Sequence, residues 1–333
     1  MPEPRFLVVR LGALGDIVHT FPAVAGLRET FPHAEIVWIT HSRWKFLVET
    51  SGLASQVWTT EPRSFPSLRK TIDELRSSHW DAAIDYQGLW KSAALPFFGG
   101  IKRRIGFSSQ TIREVGVPLL YTDKVDCTTT HIADQNGELS LRAGARNAVA
   151  PFTLHIPEDD DREIREYLKK LGLDRYVVLS PGGGWRSKCW PPERFGQLSK
   201  LIRDSLGLRC IVNYGPGEDD LALAVRECSG DAEPVPYNGP LGPLMALLRT
   251  AACIVGGDTG PLHLAIALGT PAVAIYGPTD PVRNGPYRAD AIVLRAPNVA
   301  TTHTRNDQTD PSMLQIQVPE VFVAIRRRLG VTS

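Results

Sequence analysis

At 333 residues the chain is long for one domain and suits two of ordinary size, and 43% hydrophobic content is enough for real cores. With 22% charged residues and a formal net charge of +1, the composition argues against a general nucleic-acid binder, while leaving room for a local basic patch. Five scattered cysteines (127, 189, 210, 228, 253) without C-x-x-C spacing argue against a disulfide framework or a zinc site, and read as free thiols of a reducing compartment.

The chain begins with an apolar run, "RFLVVR" (5–10), that reads as a strand. Its continuation to "FPAVAG" superficially looks like a secretion signal, but Arg10 and Asp16 interrupt the apolar region. No stretch reaches the roughly 18 uninterrupted apolar residues of a membrane-spanning helix. A cytoplasmic protein is expected. The loop after this strand, "RLGALGDIVHT", pairs Gly12 and Gly15 in a tight turn before a helix whose first N–H groups are free. Asp16 stands at that helix mouth, either as a carboxylate stabilised by the helix dipole or as a general base facing a cleft. His19, one turn on, reads as structural.

Further strands are expected at "EIVWIT" (35–40), "QVWTT" (56–60) and "DAAIDY" (81–86), with helical patterns between them. The last leads into "DYQGLWKSAAL", where Gln87-Gly88 follows the strand and Lys91 and Ser92 lie near the next helix start. From Gln87 to Arg113 there are five basic residues (Lys91, Lys102, Arg103, Arg104, Arg113) and no acidic one. This is either a solvated basic face or an anion site on the N-terminal half.

After Pro151 the pattern restarts with "YVVLSP" (176–181), "RCIVNYG" (209–215), "ACIVGG" (252–257) and "PAVAIYG" (271–277). These runs are apolar throughout, as parallel strands covered by helices on both sides require. Two α/β halves joined near 145–175 follow, divided as 1–155 and 156–333; the closing helical stretch, about 318–330, is free to pack on either. In such sheets ligands sit at the carboxyl ends of the strands, so the loops there carry the chemistry.

In the second half, "SPGGGWRSKCWPPERF" (180–195) places three glycines, Gly183 among them, where a backbone can approach a phosphate closely, and Ser187 and Lys188 add a hydroxyl and a charge. Pro191-Pro192 opens a helix that closes on Gly207. Glu218, in "YGPGEDD", stands where an acid after a strand binds ribose hydroxyls, or is a plain helix-start carboxylate. In "GGDTGPLHLAIALG", Thr259 and Gly260 offer a hydroxyl and helix N–H groups suited to a diphosphate, His263 lies one turn later, and Asp258 is expected to cap the helix. "YGPTDP" repeats the turn chemistry after the next strand.

Taken together, L-G-A-L-G-D-I-V-H-T, D-x-Q-G-L-x-K-S, G-G-x-W-x-x-K-x-W, G-D-T-G-P-x-H-L-A-x-A-L-G-x-P and Y-G-P-T-D-P, in that order over about 5–290, resemble glycosyltransferase family nine, the lipopolysaccharide heptosyltransferases. The resemblance implies an α/β GT-B fold, two Rossmann-like domains with parallel sheets facing a central cleft, acceptor in the first and nucleotide-sugar in the second. It implies transfer of L-glycero-D-manno-heptose from an ADP-linked donor to Kdo-lipid A or to the first heptose, with no metal or cofactor required. By motif, Asp16 resembles the catalytic base; Lys188 the donor-phosphate lysine; Ser187, Gly183, Asp258, Thr259, Gly260 and His263 further donor residues; and Glu218 the ribose-binding acid. Gly15, Gln87, Lys91 and Arg113 resemble acceptor-side residues. The expected partners are thus an ADP-sugar and a lipid-linked acceptor at the inner membrane surface, with the protein cytoplasmic or peripheral there. Where family members often carry a Thr-rich turn, this chain has Gly182-Gly183-Gly184.

Two other function classes compete. An NAD-dependent oxidoreductase needs a G-x-G-x-x-G turn, which is missing after the first strand. A non-catalytic nucleotide- or sugar-binding protein with the same architecture is distinguished by its site and not by its fold.

Overall fold

The computed structural model describes residues 3–112, 114–289, 291–302 and 307–331. The chain divides into two compact units, Met1–His155 and Ile156–Ser333.

The first unit is built on a six-stranded sheet of β1 (Arg5–Val9), β2 (Glu35–Thr40), β3 (Gln56–Thr59), β4 (Ala82–Asp85), β5 (Arg104–Phe107) and β6 (Asp123–Val125), in the order β3-β2-β1-β4-β5-β6. The second holds β7 (Tyr176–Ser180), β8 (Arg209–Asn213), β9 (Val235–Tyr237), β10 (Cys253–Gly257), β11 (Ala272–Tyr276) and β12 (Ala291–Arg295), in the order β12-β11-β10-β7-β8-β9. Counted from its own first strand, each sheet therefore runs 3-2-1-4-5-6. All ten strand pairings are parallel. The central strands β1, β7, β10 and β11 are almost wholly buried, which is why they read as unbroken apolar runs.

Four strands, β5, β6, β9 and β12, were not among those expected from the sequence. β6 ("DKV") and β12 ("AIVLR") are sheet edges with part-exposed patterns, β9 ("VPY") is a three-residue edge, and β5 begins on Arg104. Edge strands have a neighbour on one side only, and the signal that marks the centre weakens there, although the edge strand β3 was still legible. The terminal helix, Val318–Arg328, packs on the second unit, where Val321, Phe322, Ala324 and Ile325 join the same core as Val273, Ile275 and Trp190. Among the described residues no helix is long and apolar enough to cross a membrane. All five cysteines are free thiols, as expected from their spacing.

At the carboxyl end of β4, one buried carboxylate organises the surrounding chain. Asp85 accepts from the Gln87 and Gly88 amides (2.9 and 3.2 Å), from Ser92 Oγ (2.8 Å) and from the Tyr121 hydroxyl (2.7 Å). Ser92 Oγ in turn accepts from the Leu89 amide at 3.0 Å, which fixes the start of the helix Trp90–Phe98. Tyr121 reaches Asp85 by lying over β5, and a Cβ at Gly106 would stand 2.4 Å from its ring, so this position on β5 admits only glycine. Burial raises the Asp85 carboxyl above the ordinary carboxylate range, against the pull of the four hydrogen bonds, that of Tyr121 first.

A group whose folded value is raised contributes stability fully below its unfolded value and loses it as pH rises through the folded one. Tyr121→Phe removes a donor to the buried carboxyl, and urea unfolding should report a loss of about 1–3 kcal/mol at pH above the raised Asp85 value. The loss should shrink as pH falls into the ordinary aspartate range, where Asp85 is protonated. A pH-independent cost would mean that Tyr121 contributes packing alone.

Candidate functional site

Strand order 3-2-1-4-5-6 leaves a crevice beyond the carboxyl ends of strands 1 and 4, where successive connections leave to opposite sides. In the first unit this is the end of β1 and β4, and in the second the end of β7 and β10. The motif residues gather at these two places.

The helix Leu14–Val18 starts directly after β1 and carries Asp16 in its first turn. One carboxylate oxygen pairs with Arg10 Nη2 at 3.0 Å, and the other accepts the Ala13 amide at 3.0 Å. Arg10 is buried, with its side chain 7% exposed, whereas that of Asp16 is 49% exposed. Arg10 also donates to the Tyr86 carbonyl after β4, and Gln87 Oε1 accepts the Leu11 amide at 2.7 Å. The two loops are thereby tied to each other. Asp16 is oriented by a charge and an N–H while keeping solvent access, which suits a carboxylate that exchanges a proton with a bound molecule. Arg10 entered the sequence reading only as an interruption; an arginine ending an otherwise apolar strand was the signal that it anchors something.

The remaining first-unit expectations divide. Gly15 lies in the Asp16 helix, where its carbonyl accepts the His19 amide at 2.9 Å. Gln87 belongs to the same cluster, but its side-chain carbonyl is engaged in bracing the β1 loop. Lys91 is exposed on the first turn of the helix Trp90–Phe98. Arg113 lies outside the described residues. Of the other cations in the acid-free stretch, Arg103 pairs with Asp123 at 2.9 Å and Arg104 donates to the Leu120 carbonyl at 2.7 Å, so both hold β5 and β6 in place. The stretch is partly structural for that reason.

In the second unit, β7 runs into the glycine turn and then the short turn of helix Arg186–Lys188. Lys188 is buried, with its ammonium 3.4 Å from Asp258 Oδ2 and 4.2 Å from the centre of the Trp185 ring. Asp258 Oδ1 lies 3.0 Å from His263 Nε2. Asp258 thus bridges Lys188 and His263, in correction of the expected helix cap. The cap of the helix Gly260–Ala267 is Thr259, whose hydroxyl accepts the Leu262 amide at 3.4 Å. The reason is geometric: Thr259 has the extended backbone of a cap residue, and Asp258 one position earlier points to the β7 loop. Tyr276, at the end of β11, is held well above the ordinary phenol range by burial and then by the Asp258 charge.

At 3.4 Å the Lys188–Asp258 contact is longer than the roughly 2.7–2.9 Å of a tight charge-assisted bond. A buried cation held this loosely, with an indole face beneath it, can turn to an incoming anion. The amides at the start of the Gly260 helix offer donors of the same polarity. Ser187 is buried beside Lys188, and its carbonyl accepts the Asp310 amide at 3.1 Å.

Glu218 explains the glycine turn. Its carboxylate accepts the Gly215 amide at 2.7 Å and the Gly183 amide at 3.2 Å, joining the loops after β8 and β7. A Cβ at Gly182 would lie 2.3 Å from Glu218 Oε2, and one at Gly183 would lie 2.7 Å from Cys189 Sγ. Both glycines are needed for these approaches. Among the described residues no group of three or more His, Cys, Asp or Glu side chains could hold a metal ion.

The glycine analysis gives a paired test. Gly182→Ala must displace the Glu218 carboxylate and should cost about 1–3 kcal/mol in urea unfolding. Gly184→Ala, with nothing within 4 Å of the added Cβ, should stay within about 0.5 kcal/mol of the parent. Equal costs would mean that the turn is constrained by its backbone and not by Glu218.

Several known proteins resemble this chain over most of its length. The family profile for glycosyltransferase family 9 (heptosyltransferase) matches residues 68–313. The chain is 31% identical over 308 residues to lipopolysaccharide heptosyltransferase 1 of Escherichia coli K12, covering 88% of this chain and 94% of the relative. A family 9 glycosyl transferase of Veillonella parvula superposes with a TM-score of 0.84 at 23% identity, over 100% of this chain and 99% of the other. The E. coli heptosyltransferase WaaC with ADP superposes at 0.77 with 26% identity, over 97% of this chain and 99% of the other. With ADP-2-deoxy-2-fluoro heptose the same enzyme superposes at 0.72 and 25%, with the same coverage. The α/β architecture is accordingly that of the GT-B heptosyltransferases.

Proposed function

The chain belongs to glycosyltransferase family 9 and is a heptosyltransferase of lipopolysaccharide core biosynthesis, and from that premise we propose that it moves L-glycero-D-manno-heptose from ADP-heptose to Kdo-lipid A, with Asp16 as general base. The observation that carries this reading is the Asp16 carboxylate, half-exposed at the end of β1 and oriented by Arg10 and the Ala13 amide. The donor assignment draws support from the WaaC structures, whose ligands are ADP and a fluorinated ADP-heptose.

In the proposed step the acceptor hydroxyl oxygen attacks the anomeric carbon from the face opposite the phosphate. The new C–O bond forms as the C–O bond to the diphosphate breaks, so the configuration inverts and ADP leaves. Asp16 takes the hydroxyl proton as the nucleophile's charge is consumed. ADP gains negative charge, which Lys188 and the amides of the Gly260 helix stabilise. Lys188 does so by turning from Asp258, and His263 keeps that carboxylate partnered as it turns. Gly183 and Ser187 line the β7 side of the diphosphate, Thr259 and Gly260 the β10 side, and Glu218 accepts from a ribose hydroxyl with lone pairs that its two backbone bonds leave over. Lys188 and the helix amides supply the positive potential at the phosphates, so the reading includes no metal or other cofactor.

On the acceptor side, Gly15, Gln87, Lys91 and Arg113 are the proposed contacts, with the two cations facing carboxylates and phosphates of the Kdo-lipid A. The reading puts the working protein in the cytoplasm, at the inner face of the membrane that carries this acceptor.

Mass spectrometry of the product formed from ADP-heptose and Kdo-lipid A tests the reaction directly. A product from heptosyl-Kdo-lipid A alone would move the chain to the next transfer, and none from ADP-heptose with either acceptor would overturn the donor assignment. Asp16→Asn should lower turnover by about 10²–10⁴-fold while ADP affinity, measured by calorimetry, stays near the parent value. Unchanged turnover would remove Asp16 from the chemistry. Lys188→Ala should weaken ADP more than adenosine, because the missing charge faces phosphate; equal losses would make Lys188 structural. Activity should survive EDTA, and abolition by EDTA would contradict the metal-free reading.

A further inference from the structure

The helix Trp90–Phe98 is apolar on two sides. Its inward side buries Ser92, Ala93, Leu95 and Pro96. Its outward side shows Trp90, Ala94, Phe97 and Phe98, the i, i+4, i+7, i+8 spacing of a single helix face. Trp90 is 48% exposed and Phe98 is 52%, and the Phe97 and Phe98 rings touch at 5.2 Å between centroids. The neighbouring segment extends this face. A Cβ at Gly116 would meet the Trp90 ring at 2.9 Å, so the backbone there lies against the indole; Val115 before it and Leu119 three residues on are 92% and 77% exposed, while Val117 is buried. Exposed apolar side chains scattered singly need no explanation, but a contiguous aromatic helix face does.

Charge selects the occupant. Lys91 and Lys102, at either end of the helix, are both exposed, and no acidic residue occurs between Gln87 and Arg113. The next carboxylate along the chain, Glu114, accepts the Trp90 amide at 2.7 Å. Protein–protein contacts enrich aromatic residues but deplete lysine. Tryptophan and phenylalanine flanked by lysines, whose stems lie along apolar surface while their ammonium groups stay in water, suit a bilayer interface with anionic headgroups.

We propose that the outward face of the helix Trp90–Phe98, with the 115–119 segment, docks this protein on an anionic lipid bilayer. The aromatic rings enter the headgroup and upper acyl region, and Lys91 and Lys102 meet the lipid phosphates. Docking of this kind gives the lipid-linked acceptor of the proposed reaction a reason to be reached from the water side. The face itself is argued without that reading.

The test uses the full chain and vesicles that contain no acceptor and no lipopolysaccharide, so its outcome is independent of the transferase reading. In sedimentation at low salt, the protein should bind phosphatidylglycerol-containing vesicles and should bind phosphatidylcholine vesicles far less. Trp90→Ser with Phe97→Ser and Phe98→Ser should lower the partition coefficient about 10-fold or more, with an unchanged circular dichroism spectrum. Lys91→Ala with Lys102→Ala should lower it about 10- to 30-fold on anionic vesicles and flatten the salt dependence. Should the triple variant fold poorly, brominated lipids on the parent decide: they should quench its tryptophan fluorescence, and should quench the Trp90→Phe variant much less. Absence of vesicle binding by the parent, equal binding by a folded triple variant, or quenching indifferent to Trp90 would each overturn the proposal. So would a dimer in light scattering that the triple variant dissolves, which would make this face a contact between copies.

Discussion

The constraint on which the rest depends is the parallel sheet. Every connection between parallel strands must cross back over a face, so each strand delivers its following loop to the same end of the sheet, where the next helix begins. With order 3-2-1-4-5-6, the loops after strands 1 and 4 depart to opposite sides and leave room between them. This chain meets the constraint twice, with β1 and β4 in the first unit and with β7 and β10 in the second. Asp16 and Gln87 follow β1 and β4, while Lys188 and Thr259 follow β7 and β10. Chemistry-bearing residues far apart in each unit's sequence are thereby brought to the same end of the sheet without any long-range signal in the sequence itself.

Loops that meet at such an end need to be held, and both units use a carboxylate that accepts backbone N–H groups. Asp85 does so in the first, receiving the Gln87 and Gly88 amides together with Ser92 and Tyr121. Glu218 does so in the second, receiving the Gly183 and Gly215 amides. The glycines are the steric counterpart of the same device, since a carboxylate that bonds to backbone must come close to it. Gly182 therefore reports the approach of Glu218, and the glycine turn in place of a Thr-rich one has a local physical reason. The difference between the two braces is burial: Asp85 is fully enclosed and its carboxyl is raised, whereas Glu218 serves a more open loop.

Much of this was legible in the sequence. Eight strands were visible because central parallel strands are apolar on both faces, and the helix starts at Leu14, Pro192 and Gly260 were marked by Gly, Pro or Thr in the preceding turn. Of the four edge strands β3 was legible and β6, β9 and β12 were not, nor was the inner β5; the three-residue segments "DKV" and "VPY" have the composition of loops. Among site residues, types and loop positions were readable, but the partner of each side chain was not. Asp258 looks like a helix cap by position, and only its distance to Lys188 and His263 assigns it elsewhere. Arg10 looks like an interruption of a strand, and only burial turns it into the group that orients Asp16.

The two polar centres differ in how they hold charge, and the difference fits their places in the proposed reaction. Arg10 is the buried partner and Asp16 the exposed one. The first centre therefore presents a carboxylate, fixed in direction by a planar guanidinium. In the second centre Lys188 is buried and Asp258 only slightly exposed, and the cation is carried on a flexible stem. Lys188 sits on Trp185 with Asp258 at 3.4 Å, and an ammonium on a four-carbon stem can exchange one anion for another with little rearrangement. A buried ion pair contributes little to stability once its desolvation is counted, so the loss of Asp258 as a direct partner costs little if an oxyanion replaces it. In the proposed step His263, 3.0 Å from Asp258, would keep that carboxylate partnered while Lys188 turns to the diphosphate. An arginine in place of Lys188 would lock to Asp258 through two bonds and lose that freedom, which is a physical reason for lysine at this position.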